Sequence, residues 1–265
     1  WDPQILVGQR VELMTRSGVI AGVAGRKAIH LLKEEEREKV PKLRDLHIDI
    51  GAKDGDEARQ LVRIGDVAVI AGEPLELRND RVVSRSMDNR LGAFIALEAA
   101  RLVAEAGGAP GDVAACGVVQ EEITFGGART SAFALEPDVA IVVDVTHETG
   151  SPGVELNEIG KHEFGSGPVI ERGSIPNPVV FELLYEAAER EEIPFTVAAS
   201  ARTTGTDADA FHISRAGIAT GGISVVLRYM HSSVEMVQLD DVHACARLIA
   251  AFAQSLSAET SFARA

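Results

Sequence analysis

Ser86-Met87-Asp88-Asn89-Arg90 runs straight into residues 91–105, where apolar side chains recur at helical spacing until Gly107-Gly108. From here on, strand-like and helix-like patterns alternate, which predicts an α/β sandwich. Residues 113–119 read as a buried strand ending in Gln120-Glu121-Glu122, and 126–135 as a short helix. A second buried strand is expected over 139–143, ending in Asp144. Helices are expected over 178–192 and 207–215 and strands over 196–199 and 218–227, with His231 just past the last strand. An amphipathic helix over 239–256 closes the pattern.

Upstream the texture differs. Short β-like runs at 9–15, 18–24, 47–50 and 67–71 alternate with charged turns such as Lys33-Glu34-Glu35-Glu36-Arg37-Glu38. One short helix is expected over 54–64. We therefore divide the chain into a β-rich module, 1–83, and an α/β domain, 84–265. There is no internal repeat and no low-complexity tract.

Composition narrows the function. With 46% hydrophobic and 25% charged residues, the chain has the make-up of a soluble globular protein. No apolar run reaches the roughly 18 residues of a membrane span, and no signal peptide is visible. The expected location is cytoplasmic, without a membrane partner. The net charge of −14 argues against nucleic acid, whose phosphates demand a basic surface. Cys116 and Cys245 form neither a disulfide framework nor a metal pair, and each is expected in the core. The start at Trp1-Asp2-Pro3, without a methionine, reads as the interior of a longer protein.

Five residues could carry chemistry. Ligands of α/β sheets bind beyond the carboxyl ends of strands, and Asp88, Glu121, Glu122, Asp144 and His231 all lie at the ends of such runs. Buried carboxylates are costly unless paired or on a metal. Several gathered without basic partners point to cations, and carboxylate with imidazole suits Zn, Co or Mn. Neighbours on a strand point in different directions, so one of Glu121 and Glu122 would be a ligand and the other a free base. Asp88 could bridge two ions about 3.5–4 Å apart, held by the Asn89-Arg90 turn. Taken singly, Asp88 also reads as a helix N-cap, the glutamates as a surface pair, and His231 as an ordinary surface or core histidine. Spacing alone leaves these open.

A wider set of motifs occurs in order: Ser86-Met87-Asp88-Asn89-Arg90, Gln120-Glu121-Glu122 with Gly126-Gly127-Ala128, Asp144-Val145-Thr146-His147, Gly165-Ser166-Gly167-Pro168, Gly205-Thr206-Asp207-Ala208 and Leu227-Arg228-Tyr229-Met230-His231-Ser232. Together they resemble the tetrahedral (TET), or glutamyl, aminopeptidases, a family that has also carried the names cellulase M and endoglucanase. The resemblance implies a three-layer α/β/α metallopeptidase domain with an inserted PDZ-like β domain. It also implies two divalent metal ions, Zn or Co, and peptide substrates cut at the N-terminus. By position, Asp88 would bridge the ions, Glu121 would be the general base, Glu122 and His231 would hold one ion and Asp144 the other. The first 83 residues would be the oligomerisation module, with dimers assembling to a homo-oligomeric dodecamer. The family places a further stretch ahead of this insert, with a His-x-Asp motif completing the second ion site. His47-Ile48-Asp49 mimics that motif but falls where the family has an insert strand. On this reading the chain is truncated, with a weak second ion site and an exposed apolar patch.

Two other functions compete. A catalytically silent, oligomer-forming or metal-binding homologue would follow from the missing histidine. A glycoside hydrolase would need two carboxyls about 5–5.5 or 6.5–9.5 Å apart. With only 5% aromatic residues there are few platforms for sugar rings, and His231 would have no task.

Overall fold

The structure is a computed structural model that describes residues 2–263, so Trp1 lies outside it. The chain packs as two compact units. The smaller comprises the chain up to Leu75 with Ser84–Ser86 and His231–Glu235; the larger comprises Glu76–Val83, Met87–Met230 and Met236 onward.

In the smaller unit a short helix α1 (Pro3–Leu6) precedes the hairpin β1 (Arg10–Thr15) and β2 (Gly18–Arg26). A turn of helix, α2 (Glu34–Arg37), leads to β3 (Leu46–Asp49), α3 (Gly55–Leu61) and β4 (Val67–Ile70). The antiparallel sheet has the order β3-β2-β1-β4. Asp54 caps α3 by accepting the Asp56 and Glu57 N–H groups, so the charged run after Gly51-Ala52 enters a helix. The core is small: Val11, Leu13 and Ala24, with Ile20, Ile50 and Val62 against them.

The strands β5 (Leu75–Leu77) and β6 (Arg81–Ser84) form a three-stranded sheet with the later β11 (Glu235–Gln238), in the order β11-β6-β5. Then come α4 (Met87–Glu105), α5 (Glu121–Thr124), α6 (Gly126–Leu135), β7 (Val139–His147), α7 (Leu156–Ile159), β8 (Val169–Gly173), α8 (Pro178–Arg190), β9 (Thr196–Ser200), α9 (Ala208–Phe211), β10 (Ala219–Leu227) and α10 (Leu239–Ser255). The main sheet runs β7-β10-β8-β9. β7 and β10 are parallel over nine paired residues, β8 runs antiparallel to β10, and β9 is parallel to β8.

Local chemistry explains the helices. Asn177 caps α8 through the Val179 and Val180 N–H groups, and Pro178 supplies a first residue that needs no donor. Its buried residues, Val180, Phe181, Leu184, Ala187 and Ala188, repeat at one-turn spacing and form a single stripe. Burying Leu184 alone stabilises by about 1.5–3 kcal/mol. α4 presents Ile95, Ala99 and Val103 in the same way, and α4, α10 and α8 pack in turn against one another and against the sheet. Near the start of α10, Asp241 accepts the Gly165 and Gly167 N–H groups and so anchors the Gly165-Ser166-Gly167-Pro168 turn. Gly167 has φ +74°, and a Cβ there would lie 1.8 Å from the Pro194 carbonyl oxygen. Only glycine fits.

Three expectations fail. Residues 113–119 form no strand and are largely exposed, although their sequence is as apolar as that of a buried strand. Cys116 is accordingly exposed, while Cys245 is buried as expected. The helix expected over 207–215 is limited to Ala208–Phe211. Among the described residues no helix is long and apolar enough to cross a membrane.

Candidate metal centre

Asp144 lies on β7 beside Ser224 of β10 and is 8% exposed. The strand continues to His147, so Asp144 sits within it rather than at its end. Its Oδ1 accepts the Val145 N–H at 2.8 Å and the Asn89 amide at 3.2 Å. Burial, opposed by the Val145 N–H, pushes its carboxyl up to about 8, and the charges of Asp88, Glu121 and Glu171 push the same way.

Asp88 and Asn89 have non-helical backbones, so they form a kinked entry ahead of the regular part of α4. Asp88 is thus not the cap. That task falls to Asn89, whose Oδ1 accepts the Gly92 N–H at 2.7 Å.

Glu121 and Glu122 do not end a strand. They open the four-residue helix α5, entered from Gln120 and left through Phe125, both in the left-handed region. Successive helical residues diverge by about 100°, so the two side chains still point in different directions, for a different geometric reason. Gly127 lets the chain return closely: its N–H donates to the Val119 carbonyl at 2.8 Å, and a Cβ there would lie 2.4 Å from the Val119 nitrogen.

His231 follows β10 in the left-handed conformation, with φ +62°. Its N–H donates to Glu235, which is itself buried. Asp88, Glu122 and His231 each offer one donor atom, and these atoms lie within 4.8 Å of one another. Two carboxylates and an imidazole are a donor set suited to Zn, Co or Mn, and the charge gathered around Asp144 is what a further cation would neutralise.

Two carboxylates escaped the sequence reading. Glu171 of β8 accepts from Ser224 Oγ at 3.2 Å, and burial raises its carboxyl. Asp207, ahead of α9, is raised to about 6 by burial. Among the described residues, Glu171 Oε2 and Asp207 Oδ1 are buried without a hydrogen-bond partner. The Gly205-Thr206-Asp207-Ala208 motif was the available signal for Asp207, whereas a lone Glu on a strand carried none for Glu171. Two other residues of the quoted motifs are placed as follows. His47 is exposed on β3, over Gly25. Arg228 is occupied by Glu148, donating from Nε at 2.7 Å and approaching with Nη2 at 2.6 Å.

The family model for M42 glutamyl aminopeptidases matches residues 1–248. The chain belongs to this family. As a member it is a peptidase of the aminopeptidase type, with a mixed α/β fold. A lysyl aminopeptidase from Pyrococcus furiosus is 34% identical over 259 residues, covering 96% of this chain and 72% of that protein. The TET aminopeptidase of a marine sediment Thaumarchaeota archaeon superposes with a TM-score of 0.91 at 33% identity, covering 98% of this M42 chain and 73% of that one. The Pyrococcus horikoshii TET1 peptidase, described as assembling into a tetrahedron or a large octahedral shell, gives a TM-score of 0.83 at 30% identity, covering 96% and 74%.

Proposed function

We propose that this M42 peptidase is a two-metal aminopeptidase that removes N-terminal residues from peptides. The observation that carries the reading is the gathering of the sequence-distant carboxylates Asp88 and Glu121 near buried Asp144, where their charges add to burial in pushing the Asp144 carboxyl up. Asp88, Glu122 and His231 would hold one ion; Asp144, with Asp88 shared, would hold the other. The favoured metals are Zn or Co. When bound, such ions supply an activated water and polarise the scissile carbonyl.

The chain's own residues do the rest. A Glu121 oxygen takes the proton from the attacking water and delivers it to the leaving amine. Half-buried in the first turn of α5, Glu121 is held by the glycine-supported turn that follows. Assembly into a homo-oligomer is part of the proposal. It is supported by the shells described for the P. horikoshii relative and by Val19, Val23 and Val67 standing exposed on the small sheet. A cytoplasmic location fits the low cysteine content.

The test combines metal content by elemental analysis with hydrolysis of aminoacyl-nitroanilides. Chelation is expected to abolish turnover and added Zn or Co to restore it. Glu121→Gln should lose about 10²–10⁴-fold in turnover while retaining the wild-type metal content. A fully active Glu121→Gln enzyme overturns the assignment of the base, and activity indifferent to chelator overturns the metal centre.

A further inference from the structure

We propose that Asn89 is a positioning residue for this centre, fixing the Asp144 carboxylate so that one chosen oxygen faces the cation. The inference rests on the two-metal reading above.

Asn89 makes contacts in two directions. Its Oδ1 accepts the Gly92 N–H at 2.7 Å, which caps the regular part of α4. Its Nδ2 donates to the Val143 carbonyl at 2.7 Å and to Asp144 Oδ1 at 3.2 Å, on a strand 55 residues away in sequence. With the Val145 N–H at 2.8 Å, both donors converge on the same oxygen. Oδ1 is thereby committed to the protein, and Oδ2 is the oxygen left for an ion.

Only an uncharged side-chain amide can do this, because the position needs an acceptor on one side and two N–H donors on the other. The surroundings are shaped to admit it. A Cβ at Gly92 would lie 2.6 and 2.7 Å from the Asn89 amide atoms and 2.7 Å from the Val143 oxygen, so a glycine one turn along keeps the amide's place open. Groups that orient a metal ligand from behind are typically worth about 10–100-fold in metal affinity.

Aspartate at this position keeps the acceptor that caps α4 and loses both donated bonds. Serine also caps well but is too short to span to Val143 and Asp144. The experiment is a cobalt(II) titration of the metal-free protein, by calorimetry and cobalt absorption, for wild type, Asn89→Asp, Asn89→Ser and Asp144→Asn, alongside thermal melting without metal. Both Asn89 variants are expected to weaken the Asp144 ion by about 10–100-fold and to leave the Asp88–Glu122–His231 ion near wild-type affinity, and Asn89→Ser is expected to melt close to wild type when metal-free. Should Asn89→Asp fail to fold, Asn89→Ser, which adds no charge, provides the reading. Cobalt affinities identical to wild type overturn the proposal, as does an equal weakening of both ions with early melting, which would make Asn89 merely structural. If Asp144→Asn leaves the titration unchanged, the two-metal reading itself falls, a result separate from either of those.

Discussion

Two apolar runs in the larger unit, residues 113–119 and β10, have nearly the same texture and opposite fates. β10 is buried from Thr220 to Leu227, with β7 hydrogen-bonded on one side and β8 on the other. Residues 113–119, Val-Ala-Ala-Cys-Gly-Val-Val, adopt no strand, and Val119 is 67% exposed. β7 falls between these extremes: among the described residues it is an edge strand paired with β10 alone, and most of its residues are only half-buried. Side-chain chemistry makes a segment suited to burial, but a strand's backbone N–H and C=O groups also need partners. Where neighbours flank both edges, an apolar run becomes core. Without them the same composition stays at the surface.

This contrast can be broken by substitution. Ile223→Ala empties a fully buried position of β10 and is expected to cost about 2–5 kcal/mol in denaturant unfolding. A loss as small as that of a surface change would mean that β10 is not the keystone of the sheet.

A pH series on metal-free protein sharpens the comparison on β7. Asp144 has its carboxyl raised from the ordinary value near 3.8 to about 8, so between these values the folded chain holds a proton that the unfolded chain has lost. Its contribution to stability is therefore fully present below about pH 4 and is lost as pH rises through about 8. Asp144→Asn is expected to flatten this fall, and a metal ion, by neutralising the charge, to oppose it. An Asp144→Asn melting curve with the wild-type pH dependence would contradict the burial argument.

The smallest effect belongs to the exposed run. Val119→Ser should change stability by no more than about 0.5 kcal/mol. A cost approaching that of Ile223→Ala would show that 113–119 is covered in solution.

The candidate site was legible to differing depths. Asp88, Glu121, Glu122, Asp144 and His231 stand out because each interrupts or ends an apolar run, and the donor atoms of Asp88, Glu122 and His231 do lie close together. The backbone around them differs from the sequence expectation in three places, the first being that Asp144 lies within β7 and not at its end. The Glu121–Glu122 pair opens a helical turn instead of closing a strand, since Gln120 takes the left-handed conformation ahead of it. Asp88 yields the cap of α4 to Asn89 because the entry into the helix is kinked. Glu171 gave no sign of itself, as its environment is built by Ser224 of another strand and by Gly222, where a Cβ would lie 2.4 Å from its Oε2.

By itself the sequence determined the local elements and the chemical types. Asn177-Pro178 starts α8, the one-turn spacing of Val180, Leu184 and Ala187 gives that helix its buried stripe, and the carboxylates and the imidazole mark a place for cations. These are short-range properties, set by dihedral preference, capping and periodicity. Tertiary structure alone decided the strand order β7-β10-β8-β9, which apolar run found partners, and which oxygen of Asp144 is already taken. Those outcomes depend on hydrogen bonds and charges that meet only when residues dozens of positions apart are folded together, and no local pattern encodes them.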